Sequence, residues 1–123
     1  MAAGALKIAS VQFESASGDK EANLATIKRL ATHAASRGAQ VVAFHETSIS
    51  GYTFASRLTR NQLLDVAEPI PDGSSVQALI QIAGQVNVVV LAGLFEKDLE
   101  NLIFFSITWF SQTLNNGRKH LWN

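Results

Sequence analysis

Short apolar runs alternate along this chain with segments of helical period, and that alternation limits the fold more than any other feature. Residues 6–13 (Leu6-Lys7-Ile8-Ala9-Ser10-Val11-Gln12-Phe13) are apolar or small on both alternating faces, as expected of a strand covered on both sides. Ser15 to Gly18 reads as loop, and Ser17 or Asp19 can accept the N–H bonds that open a helix. Leu24, Ile27, Leu30, Ala31 and Ala34 then share one helix face, with Lys20, Lys28 and Arg29 outside it, and Gly38 can take the left-handed conformation that ends the helix. Val41-Val42-Ala43-Phe44-His45 follows as a second strand, so residues 6–46 form a β-α-β unit.

The pattern then repeats. Residues 47–74 are less regular, with a short helix expected at Leu58 to Val66 and a breaker in Pro69-Ile70-Pro71-Asp72-Gly73. Ser74 or Ser75 can cap a further helix in which Val76, Leu79, Ile80 and Ala83 form the apolar stripe and Gln77, Gln81 and Gln85 the opposite face. Val88 to Phe95 is a β-branched run suited to a buried central strand. After a polar turn expected at Glu96 to Asn101, Leu102 to Phe110 reads as a fourth strand, and the short connection favours antiparallel pairing. One face of that strand carries Ile103, Phe105, Ile107 and Trp109, the other Ser106 and Thr108. The class expected is α/β with a mixed sheet.

Composition narrows the function. With 123 residues the chain is one domain at most, and 47% hydrophobic residues supply a core. Ten basic and ten acidic residues cancel, which disfavours nucleic-acid binding and attraction to an anionic membrane. The N-terminal stretch lacks a basic n-region and reads as a strand, and no apolar run approaches the ~20 residues of a membrane span. A soluble, cytoplasmic protein is expected. The absence of cysteine excludes disulfides, thiolate zinc sites and a thiol nucleophile within the chain.

Glu46 is the foremost candidate for chemistry. It closes a strand and precedes the loop Thr47-Ser48-Ile49-Ser50-Gly51-Tyr52, and a carboxylate at such a strand end sits at the sheet edge where α/β folds keep their ligand crevices. There it can serve as a general base. Ser48 and Ser50 lie nearby without a base and orienter, and read as loop hydroxyls bonding backbone. Tyr52 and Phe54 could line a pocket or pack the loop onto the sheet. His45-Glu46 is not the start of a zinc-binding helix, because Ile49 stands where the second His would be. The glycines are scattered single residues, with no phosphate-cradling pattern.

The order of these pieces resembles the nitrilase, or carbon–nitrogen hydrolase, superfamily. The residues that carry the likeness are Val11-Gln12 in the first strand, Asn23-Leu24 in the helix, Gly38-Ala39 before the second strand, Glu46 followed by Gly51-Tyr52, Leu91-Ala92-Gly93-Leu94-Phe95-Glu96-Lys97, and Arg118-Lys119-His120-Leu121. The resemblance implies the N-terminal half of an α-β-β-α sandwich, with a mixed sheet and helices on one face. It further implies hydrolysis of small amides or nitriles without metal or organic cofactor, by a Glu base matched by Glu46, a Lys cation matched by Lys119, and a Cys nucleophile. His45 stands where the family has Pro, and the stretch from Phe104 to Arg118 is shorter than the family's. The family's Cys lies on the next strand, so residues 1–123 are expected to be a partial domain truncated before it, and inactive alone.

Two other functions fit the same residues. A noncatalytic module could pair with a full-length homologue, as homodimers are common in the family, or the chain could be an unrelated nucleotide-binding α/β domain, against which the missing Gly-rich phosphate loop counts.

Overall fold

A computed structural model describes residues 4–111, with 104–107 and 109 as backbone alone. Its elements run β1 (Ile8–Val11), α1 (Lys20–Ser36), β2 (Val41–Phe44), α2 (Tyr52–Ala55), α3 (Arg60–Val66), α4 (Ser74–Val86), β3 (Val89–Lys97) and β4 (Ile103–Phe110). The four strands form one sheet in the order β1-β2-β3-β4. β1, β2 and β3 are parallel, and β4 returns antiparallel to β3, with Leu91 opposite Trp109 and Gly93 opposite Ile107. The expected mixed α/β sheet is therefore present.

Local chemistry accounts for the helix ends. Asp19 caps α1 by accepting from the Ala22 N–H, and Gly38 follows the helix at φ 92°. α3 opens on a capping box in which Thr59 and Gln62 satisfy each other's backbone N–H groups. α4 has no side-chain cap of its own: Gly73 occupies that position, and Glu68 reaches in to accept the Ser75 N–H at 2.7 Å. The tight return into β4 is organised by Asp98, whose Oδ1 accepts from the N–H groups of Glu100 and Leu102.

One face of the sheet meets α1 and α4. Ile27, Ala31 and Ala34 from α1 and Val76, Leu79, Ile82 and Ala83 from α4 close over Val42, Phe44, Val90, Ala92 and Leu94. Ile82 takes a core place that the expected stripe gave to Ile80, which is only half-buried. On the opposite face Ile8 is 58% exposed, and Val41, Ala43, Val89 and Leu91 are half-buried. The first strand was expected to be covered on both sides; it is an edge strand covered on one.

One further expectation is corrected. Glu96 and Lys97 belong to β3 rather than to a turn, because the Glu68 N–H bonds the Phe95 carbonyl and the Lys97 N–H bonds the Glu68 carbonyl, which keeps the strand extended. At the far end of β3, Phe95 packs with Ala55 and Ala67 against Leu63 and Val66 of α3, in a cluster separate from the main core.

Candidate functional site

Because β1, β2 and β3 are parallel, the segments that follow them emerge at one sheet edge. A cleft of about 410 Å³ lies there, lined by Glu14, Ser15 and Ser17 after β1, by His45, Glu46 and Thr47 after β2, and by Gly51 to Phe54. Glu46 is exposed in it. Tyr52, 61% exposed, is open to solvent, whereas Phe54 is half-buried and lies against Gly18, where a Cβ would meet its ring at 2.7 Å. Of the two aromatic residues, Phe54 packs the loop.

The backbone that carries Glu46 is fixed although its carboxylate is free to meet a ligand. Thr47, Ser48, Ile49 and Ser50 are all buried. Thr47 takes φ 52°, a left-handed conformation rare for a β-branched residue. Gly51 closes the turn with its N–H on the Thr47 carbonyl at 2.8 Å, at φ 88°. The turn is tied to α1 through Asn23, which is 1% exposed: its Nδ2 donates to the carbonyls of Ile49 and Ala16, and its Oδ1 accepts from the Ala16 N–H. One buried amide thus binds the loops after β1 and β2 to each other, which gives a physical reason for the Asn in the Asn23-Leu24 pair.

Ser48 Oγ accepts from the Gly93 N–H at 3.4 Å, in keeping with a loop hydroxyl bonding backbone, but buried Ser50 Oγ has no hydrogen-bond partner. His45 contributes a second tie. Ser15 Oγ donates to the Ser48 carbonyl at 3.2 Å and lies 3.2 Å from His45 Nε2, so with its one proton committed the imidazole must donate from Nε2. Nδ1 is then a bare acceptor, buried without a partner, while the Phe13 ring sits edge-on at 4.9 Å. Burial lowers the His45 pKa, and a proton on Nδ1 would have no acceptor. The neutral imidazole is a latch between two loops, and Ser15 is not an activated nucleophile.

Lys119 lies outside the described residues, so its distance from Glu46 is not part of this geometry. Sequence reasoning missed Glu14 and Ser15, which carried no signal beyond following β1. It gave Gly93 no part in the site, although that glycine touches the Glu46 turn. Among the described residues no group of three His, Cys, Asp or Glu side chains could hold a metal ion. No described helix is long and apolar enough to cross a membrane.

Residues 7–122 match the family model of carbon-nitrogen hydrolases, and the chain belongs to that family. It is 31% identical over 93 residues to a nitrilase from Pyrococcus abyssi, a match covering 76% of this chain and 34% of the relative. Among solved structures, XC1258 from Xanthomonas campestris, a CN-hydrolase superfamily protein, aligns with a TM-score of 0.74 at 19% identity, over 94% of this chain and 39% of the other. A cysteine-to-alanine mutant of the amidase from Nesterenkonia sp. AN1, in complex with butyramide, aligns with a TM-score of 0.70 at 18% identity, over 94% and 41%. The fold is that of the N-terminal part of nitrilase-superfamily proteins, and the chain spans about a third of the length of the curated relative it matches.

Proposed function

We propose that this chain supplies the base-bearing part of an amidase- or nitrilase-type active site, with Glu46 as general base toward a small amide or nitrile. The observation that carries the reading is the exposed Glu46 carboxylate in a cleft at the carboxyl edge of parallel strands, on a turn whose backbone is buried. In such a site Glu46 takes the proton of a thiol that attacks the amide carbon, passes it to the ammonia that departs as the C–N bond breaks, then takes a proton from the water that displaces the thiolate and returns it to that sulfur, while a fixed cation, the role assigned to Lys119, offsets charge developing on the substrate. The thiol comes from outside these 123 residues, which contain no cysteine. In a Glu-to-Gln mutant of the amidase from Nesterenkonia sp. AN1 the active-site cysteine has undergone Michael addition of acrylamide, and the butyramide complex of its Cys-to-Ala mutant makes short aliphatic amides the first substrates to try.

The test is ammonia release from short amides and nitriles. The chain alone should give no turnover above a no-protein control. Fused to the cysteine-bearing remainder of a homologous amidase, it should turn over, and Glu46→Gln should lower the rate by roughly 10²–10⁴-fold. Turnover by the chain alone, or a fused Glu46→Gln variant as fast as its parent, refutes the reading. A second reading, a noncatalytic module that pairs with a full-length homologue, is favoured by the open sheet face around Ile8, Val41 and Leu91. Co-purification with such a homologue, lost on Ile8→Lys, is its signature.

A further inference from the structure

We infer that Gly93 is a positioning residue for Glu46: the missing side chain at this point of β3 lets the Glu46–Thr47 turn lie directly on the neighbouring strand. A Cβ built on Gly93 would stand 2.5 Å from the Thr47 nitrogen, 2.9 Å from the Glu46 Cα and 3.0 Å from the Glu46 carbonyl carbon. All three are main-chain atoms, which cannot swing aside as the end of a flexible side chain can. The contact is also bonded on both sides, since the Gly93 carbonyl accepts from the Ile49 N–H at 3.3 Å and the Gly93 N–H donates to Ser48 Oγ at 3.4 Å.

A glycine inside a strand is unfavourable in itself and marks a place where another backbone comes close. Here the approaching backbone is the peptide that follows the candidate base. The left-handed Thr47 belongs to the same arrangement: a β-branched residue keeps that conformation only where its surroundings over-determine it, and Thr47 is buried between Gly93 and the Asn23-tied Ile49. Gly93 therefore sets the height of the Glu46 Cα above the sheet, and with it the reach of the carboxylate into the cleft. Other glycines in this chain do different work; at Gly38, for instance, a Cβ would meet only the flexible side chain of Lys7 at 3.4 Å.

The inference rests on Glu46 being the functional group of the cleft, but its test does not use turnover, so it stands or falls separately from the proposed reaction. NMR of the unmodified chain should show strong nuclear Overhauser contacts from the Gly93 Hα protons to the Thr47 amide. Their absence overturns the inference. In a folded Gly93→Ala chain, the amide shifts of Glu46 to Gly51 should move while those of α3 stay in place. Unchanged Glu46–Gly51 shifts overturn it. If Gly93→Ala does not fold, the variant is read with Thr47→Gly, which releases the left-handed constraint and lets the turn lift. A folded double variant in which the Overhauser contacts between residue 93 and the residue 47 amide have weakened supports positioning, and one in which they persist overturns it. Failure to fold even then assigns Gly93 to sheet packing and overturns the inference.

Discussion

Substituting Glu68 should strongly destabilise the chain, because one buried carboxylate ties two helices together. Glu68 is 7% exposed; its Oε2 lies 2.7 Å from Lys20 Nζ, and its Oε1 accepts the Ser75 N–H at 2.7 Å. It joins the first residue of α1, 48 positions before it in sequence, to the opening of α4. Burial by itself raises the pKa of Glu68, but the bonds from Lys20 and Ser75 outweigh it, and the net displacement is downward. Removing one partner of a buried ion pair costs about 3–5 kcal/mol, but the Lys20 side chain is 28% exposed and regains water, so the expected loss is nearer about 2–3 kcal/mol. Loss of the acceptor at the start of α4 adds about 1 kcal/mol. Glu68→Ala should therefore cost about 3–4 kcal/mol, and at roughly 4 °C per kcal/mol for a chain of this size the midpoint should fall by about 12–16 °C.

Urea and thermal unfolding of Glu68→Ala, Lys20→Met and the double variant measure this directly. The pair is coupled if the double variant costs less than the sum of the singles, by about 1–2 kcal/mol. Glu68→Gln keeps an acceptor for Ser75 and should lose about half as much as Glu68→Ala. The sign with pH is fixed by the lowered folded-state pKa. The unfolded chain protonates Glu68 first as pH falls, so its contribution is complete above the ordinary carboxylate range and is lost as pH falls through the folded value. Strict additivity of the two singles, or a loss below about 1 kcal/mol for Glu68→Ala, would refute the argument.

Two other outcomes follow from the same structure. His45 is held neutral in the folded chain while the unfolded imidazole titrates near its ordinary value of about 6.5, so stability should fall as pH drops from that value toward the folded one; His45→Gln should flatten this step in urea midpoints compared at about pH 7 and about pH 5. The open face around Ile8, with Leu6 also 59% exposed, should bind a hydrophobic dye and drive self-association, so a monodisperse monomer by light scattering without dye binding would contradict it.

The elements were legible because their signals are local. The Asp19 cap, the Gly38 stop, the β-branched β3 and the short return into an antiparallel β4 each depend on residues a few positions apart. What escaped is non-local. Lys20 reads as a solvent-facing charge on its helix, and only the folded chain brings Glu68 to it. Glu96 looks like the start of a polar turn because the Glu68 backbone that extends β3 past it comes from nearly thirty residues earlier. α2 has four residues and a glycine cap, too little for a periodic signal. The Lys119 expectation falls outside the described residues.

The candidate site divides between these two kinds of signal. Strand end and sheet direction suffice to bring Glu46 to the carboxyl edge, because three parallel strands must all release their loops there. They say nothing about how firmly the residue is held. That depends on three contacts from separate parts of the chain: Asn23 on the Ile49 carbonyl, the His45–Ser15–Ser48 chain, and the bare Cα of Gly93 beneath the turn. A general base must keep its carboxylate accessible while its backbone stays fixed, or the proton it accepts is not where the reacting group places it. Glu46 meets both conditions, with an exposed side chain followed by four buried residues. Weakening any of the three contacts should therefore move the carboxylate without removing it, whereas Glu46→Gln removes the charge and leaves the turn in place.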